Sequence, residues 1–187
     1  MASYVDYAYY KTIYGGTEIK QLAGAVPDGG NPPSDEGAAQ DEWEERFFNR
    51  LSWEACRRID VLTLNKLKFA FPNNEDDAEN VRRCVCKLID IAAQIESANK
   101  RVSEGQGYTV DESGALRGKV VSSVSSGSES ISYTAKAESG STLIDAVLSD
   151  KAAQDKLYRD TIREYLSFVG DANGVNLLYA GAYPKRI

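Results

Sequence analysis

The chain has 187 residues, 42% of them apolar, which suits one domain with a real core. A net charge of −6 and a pI near 4.8 argue against binding nucleic acid by neutralising phosphates. No run of about twenty apolar residues is present to cross a membrane. The stretch 1–10 has neither the basic start nor the apolar centre of a secretion signal, so the expectation is a soluble, cytoplasmically made protein.

Tyr4, Tyr7, Tyr9, Tyr10 and Tyr14 place five of the eleven tyrosines in the first twenty residues. Tyr14-Gly15-Gly16-Thr17 reads as an extended segment ending in a turn. Tyrosines so concentrated outside a helical period suit a segment lying across a surface, the chain's own or a neighbour's. Residues 21–40 are dense in Gly and Pro and read as loop. The first long helix is expected near Asp41, with Glu44 as its capping partner and acidic residues filling its first turn. Its apolar stripe is Trp43, Phe47, Phe48, Leu51, Ala55, Ile59 and Leu62.

Phe71-Pro72-Asn73-Asn74 breaks the chain, because proline disfavours helix in the residue before it. Asp76 and Glu79 then cap a second helix, whose stripe of Val81, Cys84, Val85, Leu88, Ile89, Ala92 and Ile95 should pack on the first. Residues 101–140 turn rich in Ser and Gly. A β-hairpin about Ser126-Gly127 is expected there, carrying Val121 and Val124 on one arm and Ile131 and Tyr133 on the other. A flexible Ser-rich linker is the plainer alternative.

Thr142 and Asp145 resemble a further capping pair, ahead of a short helix with Leu143, Ile144, Val147 and Leu148. After an interruption near Ser149-Asp150, a last helix over 151–169 presents Leu157, Tyr158, Ile162, Tyr165, Leu166 and Val169. Gly170 is expected to stop it at positive φ. Leu177, Leu178, Tyr179 and Tyr183 then form an apolar closing segment, either folded back on the core or meant for another chain. The expected fold is mainly α: a small bundle of three to four helices, with an inserted β-hairpin or loop and extended N- and C-terminal segments.

The sequence contains no histidine, so no Ser–His or Cys–His pair can form. Cys56, Cys84 and Cys86 are an odd number and suit small buried hydrophobes better than a disulfide framework, metal or redox site. The Gly pairs lack the Lys-Ser/Thr and strand-to-helix setting of a phosphate loop. No catalytic, metal or cofactor role is expected.

The order of signals resembles one family. Tyr14-Gly-Gly-Thr comes first, followed by Cys56-Arg-Arg-Ile-Asp-Val-Leu-Thr and Val81-Arg-Arg-Cys-Val-Cys-Lys-Leu-Ile-Asp. A Val-Ser-Ser-Val-Ser-Ser-Gly-Ser-Glu-Ser-Ile-Ser-Tyr stretch over 121–133 leads on to Ile162-Arg-Glu-Tyr-Leu and Asn176-Leu-Leu-Tyr-Ala-Gly. Together, across most of 40–183, these resemble the head–tail connector (head completion, adaptor) proteins of long-tailed bacteriophages and prophages. The family usually closes on Thr-Gly-Leu-Leu-Tyr-Arg-Gly, from which Val175-Asn-Leu-Leu-Tyr-Ala-Gly departs, and stretches 24–37 and 101–117 look like insertions.

The resemblance implies a single connector-like domain. It would comprise an extended segment and loop (1–40), a helical hairpin (41–100), a Ser/Gly-rich hairpin insertion (101–140), C-terminal helices (141–170) and a docking tail (171–187). It implies a structural virion protein assembled in the host cytoplasm, forming a ring of about twelve copies below the portal. The ring would complete the DNA-filled head, extend the channel and dock the next neck (stopper) or tail-completion protein. DNA would pass without sequence-specific binding. Leu177, Leu178, Tyr179 and Tyr183 become candidate contacts to the portal or a neighbouring subunit. Val121, Val124, Ile131 and Tyr133 become a candidate inter-subunit or channel hairpin. The alternative is a helical adaptor or regulator that binds a peptide between helices 41–63 and 76–96.

Overall fold

The computed structural model describes residues 3–24, 36–103, 108–110, 116–125, 130–135, 147 and 150–181. The described chain is mainly helical and divides into two units, one of Met1–Ala93 with Asp155–Ile187 and one of Gln94–Gln154.

In the first unit the N-terminal segment is not extended. Tyr9–Tyr14 forms a π-helical turn, and Glu18–Ala23 forms α1. The two glycines between them explain why the chain coils and then reverses. Gly15 sits at φ +76°, where a side chain would be strained. A Cβ on Gly16 would lie 2.2 Å from the Tyr10 ring, so only glycine allows that ring to close over the turn.

Helix α2 spans Glu36–Leu62, starting five residues before the expected Asp41. Its deepest positions are Phe48, Leu51, Ala55, Cys56 and Ile59, whereas Trp43, Phe47 and Leu62 of the expected stripe are only half-buried. The stripe is therefore rotated towards Glu44, Ser52, Asp60 and Thr63, polar residues that are buried as well. Helix α2 ends through two successive left-handed residues, Leu64 (φ 54°) and Asn65 (φ 60°). Asparagine tolerates that conformation, but leucine does so at a cost of ~1–2 kcal/mol. The kink leads into α3 (Lys66–Phe69) and turns Lys66 inwards.

Helix α4 spans Glu75–Ser103 and opens on Glu75, Asp76 and Asp77, carboxylates favoured by the helix dipole. Val81, Cys84, Val85, Leu88, Ile89 and Ile95 are buried as the period requires, with Ala92 half-buried. Cys86, off that stripe, is fully buried too. Helix α5 covers Lys151–Leu166 and buries Tyr158, Thr161, Ile162 and Leu166. It stops earlier than expected, and Gly170 is not the left-handed stop; it forms a β-bridge with Asn176, and Gly174 takes the positive φ of 74°.

In the second unit, β1 (Tyr108–Val110), β2 (Leu116–Ser125) and β3 (Ser130–Ala135) run antiparallel in the order β1-β2-β3. Val121 pairs with Tyr133 and Val124 with Ile131. An irregularity between Val121 and Ser123 lets residues three apart on β2 oppose residues two apart on β3. The expected turn at Ser126-Gly127 and the short helix about 142–148 lie outside the described residues, apart from helical Val147.

Candidate interaction surface

The N-terminal tyrosines bind the chain's own helices. Tyr4 donates its phenol O–H to Asp60 at 2.6 Å and Tyr7 to Glu44 at 2.5 Å, both on α2. Tyr9 donates to Glu79 at 2.6 Å on α4, and Tyr10 and Tyr14 share Asp90 at 2.6 and 2.8 Å. Tyr10 also rests its fully buried ring 5.5 Å from that of Phe48, so one residue ties α2 to α4. Burial first, and the facing carboxylates with it, push all five phenols above the usual tyrosine range. They therefore remain protonated donors. Asp90 is raised by its burial, against the lowering effect of the two phenol bonds. Glu79 is lowered, chiefly by the Tyr9 bond and then by Arg83. Asp60 Oδ2 has no hydrogen bond among the described residues, but Lys68 Nζ stands 3.2 Å away.

The C-terminal segment likewise folds back on its own chain. Asp171 Oδ1 accepts the N–H groups of Asn173 and Val175, and Leu177 N–H donates to Val169 O at 2.9 Å. Lys66 reaches in from the start of α3. Its Nζ donates to Asn176 O at 3.0 Å, to Leu177 O at 3.3 Å and to Tyr179 O, with the Tyr179 ring 5.6 Å from the ammonium. Three donors on a compact ammonium suit three converging carbonyls, a geometry a planar guanidinium does not reproduce. Burial lowers the Lys66 pKa below the usual lysine range, the Asp171 carboxylate working against it.

The four candidate residues of the closing segment are placed differently from one another. Leu177 is buried to 0% exposure in the core of its own unit and cannot be offered to a partner in this conformation. Its burial, its amide bond and the Lys66 carbonyl contact hold it there. Leu178 is half-buried, Tyr179 is 53% exposed, and Tyr183 lies outside the described residues. Val121, Val124, Ile131 and Tyr133 belong to the second unit, where strand register sets Val121 opposite Tyr133 and Val124 opposite Ile131.

Several large apolar side chains remain open among the described residues, Ile13, Leu64 and Phe69 as well as those described next, and periodicity singled out none of these. Between the C-terminal half of α2 and α5 lies a cleft of about 570 Å³, floored by Trp53, Val61, Tyr158 and Ile162. Trp53 and Val61 are exposed. Arg58 stacks 4.0 Å over the Tyr158 ring and pairs with Asp155 at 3.3 Å, and Arg57 lies 5.5 Å over Trp53. With Arg159, three guanidiniums face two carboxylates, Glu54 and Asp155, leaving the cleft net positive. Beyond the end of α5, Phe168 projects at 96% exposure beside Asp77, Glu164 and Tyr165. Trp53, Val61 and Phe168 fall outside the apolar stripes of their segments, and that mismatch was the one sequence sign of them.

All three cysteines are free and buried, and burial raises each thiol, Cys86 to about 12. Protonated and enclosed, they are poor nucleophiles. Among the described residues no group of three or more His, Cys, Asp or Glu could hold a metal ion, and no helix is long and apolar enough to cross a membrane. No protein-family model, curated protein or solved structure matches this chain.

Proposed function

We propose that this chain is a structural subunit of a phage neck, forming a ring below the portal that completes the filled head, extends the DNA channel and docks the next neck protein. The observation that carries the reading is that the described residues leave apolar side chains open on unlike faces, Phe168 and the Trp53–Val61 cleft among them. A subunit with two different apolar faces suits a closed ring, whose contacts are heterologous. The motif order from Tyr14-Gly-Gly-Thr to Asn176-Leu-Leu-Tyr-Ala-Gly adds the resemblance to head–tail connectors. An acidic subunit also suits passage of DNA, since tight phosphate binding needs clustered Lys and Arg. In this reading the paired arms at 116–125 and 130–135 form a hairpin that faces a neighbouring subunit or the channel. Tyr179, rather than the buried Leu177, is the exposed contact of the closing segment.

The test is cosedimentation of the purified chain with the portal protein encoded in the same genome, followed by electron microscopy of the complex. Ring-shaped density on one end of the portal is the expected result. A genome without a portal gene, or a chain that stays monomeric and unbound beside its portal, overturns the proposal.

A further inference from the structure

We infer a head-to-tail contact between copies of this chain, with Phe168, just past the end of α5, seated in the Trp53–Val61–Tyr158 cleft between α2 and α5 of the next copy. The inference rests on the ring reading above and names the contact that would build the ring.

Three observations converge on it. Phe168 is an almost wholly exposed aromatic ring in the turn just after α5, and the cleft offers an aromatic and aliphatic floor with room for such a ring. The charges are complementary: Asp77 and Glu164 flank Phe168, whereas Arg57 and Arg159 rim the cleft beyond the Arg58–Asp155 pair. Arg83, which also lies towards Tyr165, is engaged by Glu79 at 2.8 Å, and among the described residues neither Asp77 nor Glu164 makes an ion pair. Finally, a carboxylate beside each feature lies on the opposite side of α5 from the other. At 100° per residue, Glu164 lies about 180° around α5 from Asp155, so one copy cannot close the contact on itself. A second copy can supply it, and its own free knob and cleft then continue the array.

The test uses the full chain with one cysteine on the rim of the cleft, at Glu54, and one beside Phe168, at Ser167. Glu54→Cys and Ser167→Cys variants are mixed at high concentration under a mild copper oxidant, so that two thiols join as a disulfide and the oxidant takes up the two electrons. The expected heterodisulfide yield is about fivefold or more above that of a Lys20→Cys and Ser167→Cys control mixture. Adding Phe168→Ala should return it to the control level. Arg159→Glu should lower it, and Arg159→Glu with Glu164→Arg in one chain should restore it. A chain carrying both cysteines should give a ladder of oligomers.

Yields at the control level, or indifference to Phe168→Ala, overturn the contact. So does a double-cysteine chain that stops at a dimer, or cross-linking of Glu54→Cys to the portal instead of to Ser167→Cys. Rings seen by microscopy with control-level cross-linking overturn this contact and leave the ring reading standing. A chain that neither cross-links nor binds a portal overturns both.

Discussion

Lys66→Met is the sharpest test of how the closing segment is held. Methionine keeps the unbranched stem and its packing but removes the ammonium that gathers the carbonyls of Asn176, Leu177 and Tyr179. Hydrogen bonds to a charged group contribute ~1.5–3 kcal/mol each, but here three share one charge and the ammonium is desolvated. Asn176 is half-buried and Tyr179 exposed, so water can reach their carbonyls, while the fully buried Leu177 offers no such relief. A net loss of ~2–4 kcal/mol follows, less than a typical domain stability of ~5–15 kcal/mol, so the unit stays folded. The loss should appear as local opening. Native-state hydrogen exchange of the Leu177 amide, now bonded to Val169 O, should accelerate about 30- to 1,000-fold, with the Val85 amide of α4 as an internal reference. Lys66→Arg should restore little, because its planar fork cannot converge on three carbonyls. Unchanged Leu177 exchange in Lys66→Met, with stability within ~0.5 kcal/mol of the parent, would refute the latch.

Three further outcomes follow from the same contacts. Tyr10→Phe keeps the buried ring but takes one donor from Asp90, and urea denaturation should show a loss of ~1–3 kcal/mol; a change under ~0.5 would mean the phenol bond is not formed. Gly16→Ala drives a methyl into the Tyr10 ring and should cost ~1–3 kcal/mol in thermal unfolding, whereas a neutral result would sink the close approach. Asp90→Asn tests the raised carboxyl pKa. Between the ordinary value of 3.8 and the raised one, the folded chain holds a proton that the unfolded chain has released, so this group's contribution declines as pH rises through that window. The parent-minus-variant stability difference should therefore fall with rising pH there, and a flat or rising difference in urea titrations would contradict the assignment.

Local patterning determined much of this protein. The period of Val81 to Ile95 specifies α4, Phe71-Pro72 marks the break before it, and Tyr158 to Leu166 specifies α5, because each signal is contained within a few turns. The three cysteines, expected as buried or half-buried hydrophobes from their odd number and the place of Cys84 on the stripe, are all buried. Tertiary structure decided what depends on distant partners. The tyrosine phenols meet carboxylates 37 to 80 residues away, so nothing near Tyr4 or Tyr10 could say whether they bind in cis. Residues 9–14 coil rather than extend because Gly16 admits the Tyr10 ring, a fit that exists only once the ring is docked. Lys66 looked like any lysine after a helix, yet a left-handed kink aims it 110 residues down the chain. That contact accompanies the burial of Leu177 in the core, while Phe168 and the Trp53–Val61 cleft are among the apolar surfaces left open.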